Sequence, residues 1–318
     1  MSLPTDLKTC LYVALDAAAA AAALIRDARG DMTPQDDGSH LQCDDDAEAL
    51  IRQRLLAAFP AFGYKGEETG SVSRPGQPVW VVDPNDGTHA LVRGERGSAV
   101  SIALVWGGLP VLGVVHAVCA PDDDGDVVAW ADGCGPLQRN GVAVARDAAL
   151  VPPVVLGAWS SVRGMHATVA PLRVRVLPSV AYRLALVAAG DAVATFTTYF
   201  PAAWDIAGGH ALLRGVGGDL YRPDGQAVRY SADGSSAVES CAGCVAQDKT
   251  QTLAILRGLI NKGPLPLAFG PFAPVRPWPH STDSEKLRRA QGCLLGQFAG
   301  DSLGGLVEFR GPASIAAE

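Results

Sequence analysis

The stretch Val79–Gly94, VWVVDPNDGTHALVRG, decides how the rest of the chain is read. Four apolar residues run into Asp83 and Asp86, with Pro84 and Asn85 between them and Gly87-Thr88 behind. The apolar run has the length of a buried strand. Pro84 disfavours helical backbone at Asp83, so the strand runs straight into the turn. Gly87 lets the backbone approach a ligand closely. Two readings are open. One is a solvated surface turn of Asp, Pro, Asn and Gly. The other is a site for hard cations, in which two carboxylates and the Asn85 carbonyl converge on Mg²⁺, an ion that prefers oxygen ligands. In that second reading the amides of Gly87 and Thr88, if they open a short helix, suit a phosphate oxygen.

Working outward, the bulk composition narrows the classes of function. The 318 residues are 48% hydrophobic and 19% charged, with 36 Gly and 22 Pro, a globular composition with many turns. Net charge is -7 and no block of Lys or Arg forms a phosphate-backbone track, which argues against nucleic acid as a partner. Net negative charge does not exclude an anionic substrate, because bound cations reverse the local field. Ala17–Leu24 is apolar but lies between Asp16 and Arg26, lacks a basic n-region before it, and is too short to cross a bilayer, so neither a secretory signal nor a membrane partner is expected. Seven cysteines without such a signal fit a reducing cytoplasm. Cys241 and Cys244 form a lone C-x-x-C with no second ligand pair, and read as ordinary thiols near a helix start.

Periodicity then places the elements. Asp6–Asp27 is rich in strong helix formers. Cys43–Pro60 carries an apolar stripe of Ala47, Ile51, Leu55 and Ala58, with acidic residues in its first turn and Pro60 as its stop. Ser98–Ala120 reads as two strands around the Gly107-Gly108 hairpin turn, and Val127–Trp130 as another strand. Pro121–Asp126 reads as an exposed acidic turn. Ala181–Phe196 is a helix closed near Gly190 and followed by a strand. Ala203–Leu220 is a helix with Asp205 near its start, ending at Gly215–Gly218. Helices alternate with strands and some connections are tight hairpins, which predicts a layered α/β protein with mixed sheets. Beyond residue 260, the segment 261–284 is rich in Pro and Gly and reads as a linker, followed by a helix-like run from Glu285.

Further acidic residues sit in comparable settings: Asp44 at a helix start, Glu67-Glu68 between Gly66 and Gly70, Asp205 after Trp204. Each alone is a cap or a surface charge. Together, GEE at Gly66–Glu68, WVVDPNDGT at Trp80–Thr88 and WDIAGG at Trp204–Gly209, with Gly217-Gly218 after it, resemble the motifs of the inositol monophosphatase-like family of metal-dependent phosphatases, over most of residues 6–260. GPLQRNGVAV at Gly135–Val144 resembles the family's connecting segment.

That resemblance implies a five-layer αβαβα sandwich, usually paired as a homodimer. It implies that Glu67, Asp83, Asp86, Asp205 and the Asn85 carbonyl hold Mg²⁺, as two or three ions, and that Asp44 and Thr88 sit beside the attacking water. Mg²⁺ would clamp the phosphate of a small phosphorylated metabolite and lower the pKa of a bound water. Substrate contacts are expected from Asp86, Gly87, Thr88, His89, Ser179 and Arg183. His89 replaces a common Asn or Lys and reads equally as a surface group. Arg183 is either a fork for phosphate or a helix-surface charge. Pro178-Ser179 stands where the family often has Gly-Ser or Gly-Thr. These departures leave polyol, sugar and adenosine-nucleotide phosphates open as substrates.

Arg288–Phe309, RRAQGCLLGQFAGDSLGGLVEF, is similar to the opening of the ADP-ribosylglycohydrolase family, with Glu308 at its acidic position, but that family's later Asp-rich metal motifs are missing. The organisation expected is therefore a phosphatase domain over 1–260, a linker over 261–284 and an incomplete glycohydrolase-like segment over 285–318, the chain being a fragment of a longer fusion or carrying a remnant. The rival functional reading is a catalytically weak module that binds a phosphorylated metabolite and regulates a fused glycohydrolase domain.

Overall fold

The computed structural model describes residues 6–28, 41–145, 153–162 and 172–261. The expectations for the linker and for the glycohydrolase-like segment lie outside these residues.

Two helices open the chain, α1 (Leu7–Ala28) and α2 (Gln42–Ala58). The strands β1 (Gly63–Gly66), β2 (Ser71–Val72), β3 (Val79–Asp86), β4 (Ala99–Trp106), β5 (Leu109–Ala117), β6 (Asp126–Ala131), β7 (Gln138–Arg139) and β8 (Val142–Ala143) form one sheet, with the short helix α3 (Thr88–Val92) between β3 and β4. Its order is β2-β1-β3-β4-β5-β6-β7-β8. The second sheet contains β9 (Val154–Gly157), β10 (Arg173–Val176), β11 (Ala194–Thr197), β12 (Gly218–Tyr221) and β13 (Cys241–Val245), in the order β10-β9-β11-β13-β12. The helices α4 (Trp159–Val162), α5 (Val180–Ala189), α6 (Ala203–Arg214) and α7 (Lys249–Asn261) complete the fold.

Side-chain alternation along the strands assigns the layers. Successive residues of a strand point to opposite faces. Trp80 and Val82 pack with α1 and α2, in a cluster that includes Ala14, Ala18, Ile51 and Leu55. Val79 and Val81 point the other way and pack with Ala181, Leu184, Ile206 and Ala207 of α5 and α6. The second sheet repeats the arrangement. Leu156, Leu220 and Cys241 join α5 and α6, whereas Val155, Phe196 and Cys244 join Leu253, Ile255 and Leu256 of α7. The layers are thus α1/α2, first sheet, α5/α6, second sheet, α7, the αβαβα sandwich expected. A fully buried residue such as Trp80 contributes about 2–3 kcal/mol relative to leaving it in water.

Several local expectations are met with small shifts of boundary. Gly107 and Gly108 both take positive φ in the turn between β4 and β5, and Gly190 closes α5 in the left-handed conformation. By length and composition α1 is apolar enough to cross a membrane. Its stripe from Leu7 through Ala14, Ala18 and Ile25 is packed on the first sheet and α2.

Two expectations are corrected. Cys241 and Cys244 stand just before a helical turn that begins at Ala246, but both lie within β13. Three residues apart on a strand, they face opposite layers, so their thiols cannot share a ligand or a disulfide. Burial pushes both thiols up to about 12. The acidic turn is exposed only as far as residue 124. Asp126 is buried, and it accepts hydrogen bonds from Arg139, Asn140 and the Tyr182 hydroxyl, the last at 2.9 Å. Arg139 also pairs with Asp191 at 2.7 Å. This network ties the first sheet to α5. The sequence gives no sign of it because its members are far apart along the chain.

The middle layer has no slack. A Cβ on Gly209 would stand 2.3 Å from Leu184 Cβ of α5, and one on Gly113 of β5 would stand 2.3 Å from the Gly208 carbonyl. Glycine at these positions lets α6 close on both neighbours. We expect Gly209→Val to force α5 and α6 apart and to destabilise the protein by at least about 2 kcal/mol, read as a lower midpoint in urea unfolding.

Candidate active site

Strand pairing brings the acidic segments together. β1 runs parallel to β3 with Gly66 opposite Val82, so the next residues in register are Glu67 and Asp83. β4 lies on the other side of β3 with Ser101 opposite Asp83. The Ser101 hydroxyl donates to the Trp204 carbonyl at 3.2 Å, which fixes the start of α6 and Asp205 beside β3. The register of β3 shifts between Asp83 and Asp86, and both carboxylates are buried.

The N-terminal ends of α5 and α6 hold two of these side chains. Asp86 Oδ2 accepts from the Ser179 hydroxyl and from the Ala181 amide, each at 2.7 Å. Ser179 also caps α5 by accepting from the Tyr182 amide at 2.9 Å. Asp205 Oδ2 accepts from the Ala202 amide at 2.9 Å, where a carboxylate in a first helical turn satisfies an otherwise unpaired donor. Asp83 Oδ1 accepts from the Asn85 amide at 2.8 Å.

A second group lies alongside. Asp44, in the first turn of α2, accepts from Asn85 Nδ2 at 3.0 Å through Oδ1 and lies 3.1 Å from the Thr88 hydroxyl through Oδ2. The Thr88 hydroxyl is also 3.0 Å from the Asn85 carbonyl. With one proton and two acceptors in reach, that hydroxyl can orient toward either. Gly87 precedes Thr88 with φ of 102°, a conformation that suits glycine, and its carbonyl accepts from Ala90 and Leu91 to start α3.

Crowding of like charge dominates the electrostatics. Burial first, then Glu67, Asp86 and Asp205, push Asp83 well above the ordinary carboxylate range. Burial and then Asp86 raise Asp205 to about 8. Although Glu67 is exposed as a residue, the packing round its carboxyl group, with Glu68, Asp86 and Asp44 nearby, raises it to about 7 against a hydrogen bond with Asp83. Asp86 rises only to about 6: burial is opposed by the Ala181 amide, Ser179 and Arg183. Among the described residues no three acidic, His or Cys side chains converge closely enough to form a finished ligand cage as they stand. The donor set nevertheless fits a hard cation. It is all oxygen and repelled by its own charge, and a divalent ion would relieve that repulsion.

The remaining substrate-side expectations fare differently. Ser179 is fully buried and spends its hydroxyl on Asp86. Arg183 is neither a surface charge nor an open fork. It is fully buried, donating to the Leu177 carbonyl at 2.9 Å and to Thr197 at 3.3 Å, with Nε unpartnered. It acts on Asp86 and Asp205 by charge from behind. His89 is exposed next to Thr88.

Sequence reasoning missed Glu48. It is fully buried, and its carboxylate accepts from the amides of Glu68 and Thr69 at 2.8 Å each, clamping the loop that carries Glu67. A Cβ on Gly66 would collide with Glu48 Oε1, at 1.8 Å, so Gly66 makes room for the clamp. The available signal was spacing: Glu48 falls one helical turn after Asp44, on the same face of α2.

The chain as a whole is similar to known proteins. A sequence model of the inositol monophosphatase family matches residues 6–257. The chain belongs to the inositol monophosphatase family. It is 36% identical over 195 residues to the inositol-1-monophosphatase of Mesorhizobium japonicum, covering 58% of this chain and 72% of that one. It is 29% identical over 207 residues to the 3′(2′),5′-bisphosphate nucleotidase CysQ of Salmonella typhimurium, covering 62% and 81%. The solved inositol monophosphatase from Anabaena superposes with a TM-score of 0.64 at 23% identity, covering 82% of this chain and 98% of that one, a likeness of fold. Membership of the family places the chain among phosphoric monoester hydrolases of small phosphorylated molecules, a class that is generally metal-dependent.

The raised carboxylates set a pH signature for ion binding. A carboxyl group whose folded pKa lies above its unfolded value contributes stability below the unfolded pKa and loses it as pH rises through the folded one. The metal-free protein therefore loses this contribution as pH rises through about 6, 7 and 8, the values for Asp86, Glu67 and Asp205. Mg²⁺ competes with those protons. The increase in Tm on adding Mg²⁺ is expected to grow from pH 6 to pH 8 and to shrink in Asp86→Asn, as read by thermal scans with and without the ion.

Proposed function

We propose that this protein is a Mg²⁺-dependent phosphomonoesterase for a small polyol, sugar or nucleotide phosphate, with two or three ions held by Glu67, Asp83, Asp86, Asp205 and the Asn85 carbonyl. The observation that carries this reading is the meeting of Glu67, Asp83, Asp86 and Asp205, drawn from separate segments, with their charges opposed to one another. A stable fold does not collect buried carboxylates without something to neutralise them.

When bound, Mg²⁺ supplies positive charge at the phosphate and lowers the pKa of a water. The chain's own residues do the rest. Asp86 and Asp205 are locked by backbone amides and Ser179, so they keep their orientation as ligands. The Thr88 hydroxyl positions the attacking water, and Asp44, hydrogen-bonded to Thr88 and Asn85, accepts the proton that the water gives up. The water oxygen attacks phosphorus in line as the ester P–O bond breaks; the leaving alkoxide takes a proton from solvent water, and Asp44 returns its own to solvent, so the products are the alcohol and hydrogen phosphate. The positive ends of the α5 and α6 dipoles face the charge that builds on the phosphate oxygens. Phosphoryl transfer needs chiefly this placement and charge stabilisation.

The regulatory-module alternative is motivated by the altered substrate-side residues and the fused tail, but each expected metal carboxylate is present, which favours a working phosphatase. A homodimer and a cytoplasmic setting belong to the proposed reading. The six described cysteines are all free, which suits a reducing compartment, and light scattering measures the dimer directly.

Asp86→Asn and Asp205→Asn retain an oxygen acceptor for the amides that hold them, so both variants are expected to fold. In a Mg²⁺-supplemented phosphate-release assay each should lose at least about a hundredfold in kcat/KM, as loss of a ligand and its charge requires. Undiminished turnover in both would overturn the assigned roles. Chelation with EDTA should abolish turnover, and added Mg²⁺ should restore it.

A further inference from the structure

The segment between β11 and α6 is aromatic and carries few polar side chains. It runs Thr198, Tyr199, Phe200, Pro201, Ala202 and delivers the chain to Asp205. Thr198 is already engaged: its hydroxyl lies 3.1 Å from Ser161 Oγ, and its amide donates to the same oxygen at 3.4 Å. No carboxylate or amide side chain lies in the segment, so it offers a polyol little with which to receive hydroxyl hydrogen bonds.

What it offers is aromatic surface. Phe200 is 75% exposed, the most exposed large hydrophobic residue among those described, and Tyr199 beside it is 38% exposed. Tyr199 turns its hydroxyl end inward, where it hydrogen-bonds Arg183 and lies in the field of Asp86 and Asp205. Its ring is therefore anchored next to the carboxylates that would receive the phosphate. Phe200 stands two residues before Ala202, whose amide holds Asp205. Pro201 is buried, so the chain dips inward directly behind the exposed ring.

We propose that the alcohol released at this site carries a planar aromatic base, so that the substrate is a nucleoside phosphate, its base stacked on Phe200 and Tyr199. This rests on the phosphatase reading above and narrows it. Every nucleobase has a π face, and an exposed aromatic ring fixed beside an anion site recognises a base and its phosphate together. A polyol can offer such a ring only C–H edges between hydroxyls, whereas a base offers a whole planar face. Arg183 serves here as the buried anchor that keeps Tyr199 at the rim.

The test compares kcat/KM for adenosine 3′,5′-bisphosphate with that for myo-inositol 1-phosphate, with Mg²⁺, in the wild type, Phe200→Ala and Phe200→Trp. The nucleotide is expected to lead by about tenfold or more, the range that stacking on an aromatic side chain supplies. Phe200→Ala should lower the nucleotide-to-polyol ratio about tenfold, through KM rather than kcat, and Phe200→Trp should restore it. A polyol preference in the wild type, or a ratio unmoved by Phe200→Ala, overturns the proposal. Loss of the wild-type oligomer in Phe200→Ala by light scattering also overturns it, because the ring then belongs to a contact between copies. Should no ester be hydrolysed at all, the phosphatase reading falls by itself. Calorimetric titration of adenosine 3′,5′-bisphosphate with Ca²⁺ in place of Mg²⁺ still decides the aromatic contact: binding weakened about tenfold in Phe200→Ala supports it, and equal or absent binding in both proteins overturns it.

Discussion

Asp83, Asp86 and Asp205 repel one another inside the protein, and the fold is arranged to hold them there. Nothing about a carboxylate favours burial beside others of its kind. The structure offsets that repulsion with directed donors: the Ala181 and Ala202 amides, the Ser179 hydroxyl, the Asn85 amide, and the buried Arg183 guanidinium behind them. These donors come from three separate pieces of chain: the Asn85 turn, the start of α5 and the start of α6. The site therefore exists only once both sheets and the helices between them are in place, and its geometry is a property of the sandwich rather than of any one loop.

The helices α5 and α6 carry most of that burden. They fill the middle layer, their starts hold Asp86 and Asp205, and their flanks form the largest apolar cluster with both sheets. The buried network of Asp126, Arg139 and Tyr182 fastens α5 to the far end of the first sheet. Removing one partner from such a network strands a buried charge, at about 3–5 kcal/mol. Stability and site geometry are joined through the same two helices.

Much of this was legible in the sequence. Strong local signals gave the element types: the alanine-rich α1, the Gly-Gly turn between β4 and β5, Gly190 at the end of α5. The acidic residues of the candidate site could be named because segments resembling the family's motifs surround them. The rest was hidden for physical reasons. Glu48 looks like any acidic residue on an exposed helix face until the Gly66–Thr69 loop folds over it. Asp126 looks like part of a solvated turn until Arg139 and Tyr182 arrive from elsewhere. Arg183 is charged and lies in an apolar helix, so its burial could not be read without the Leu177 carbonyl and Thr197 to receive its protons. A two-letter gap in C-x-x-C suggests a shared ligand only if the backbone is helical or looped; on β13 the same gap separates the thiols.

The glycines at 113, 208 and 209 make α6 a wedge without clearance, touching β5 on one side and α5 on the other. A helix seated this tightly cannot adjust its height or rotation piecemeal. Enlarging any residue of the central stratum therefore retunes the spacing of the acidic ligands as surely as editing a ligand itself. The outer helices α1 and α7 have no such grip on the chemistry. Bulk added to α1 or α7 is therefore felt by the site less than bulk added to α5 or α6.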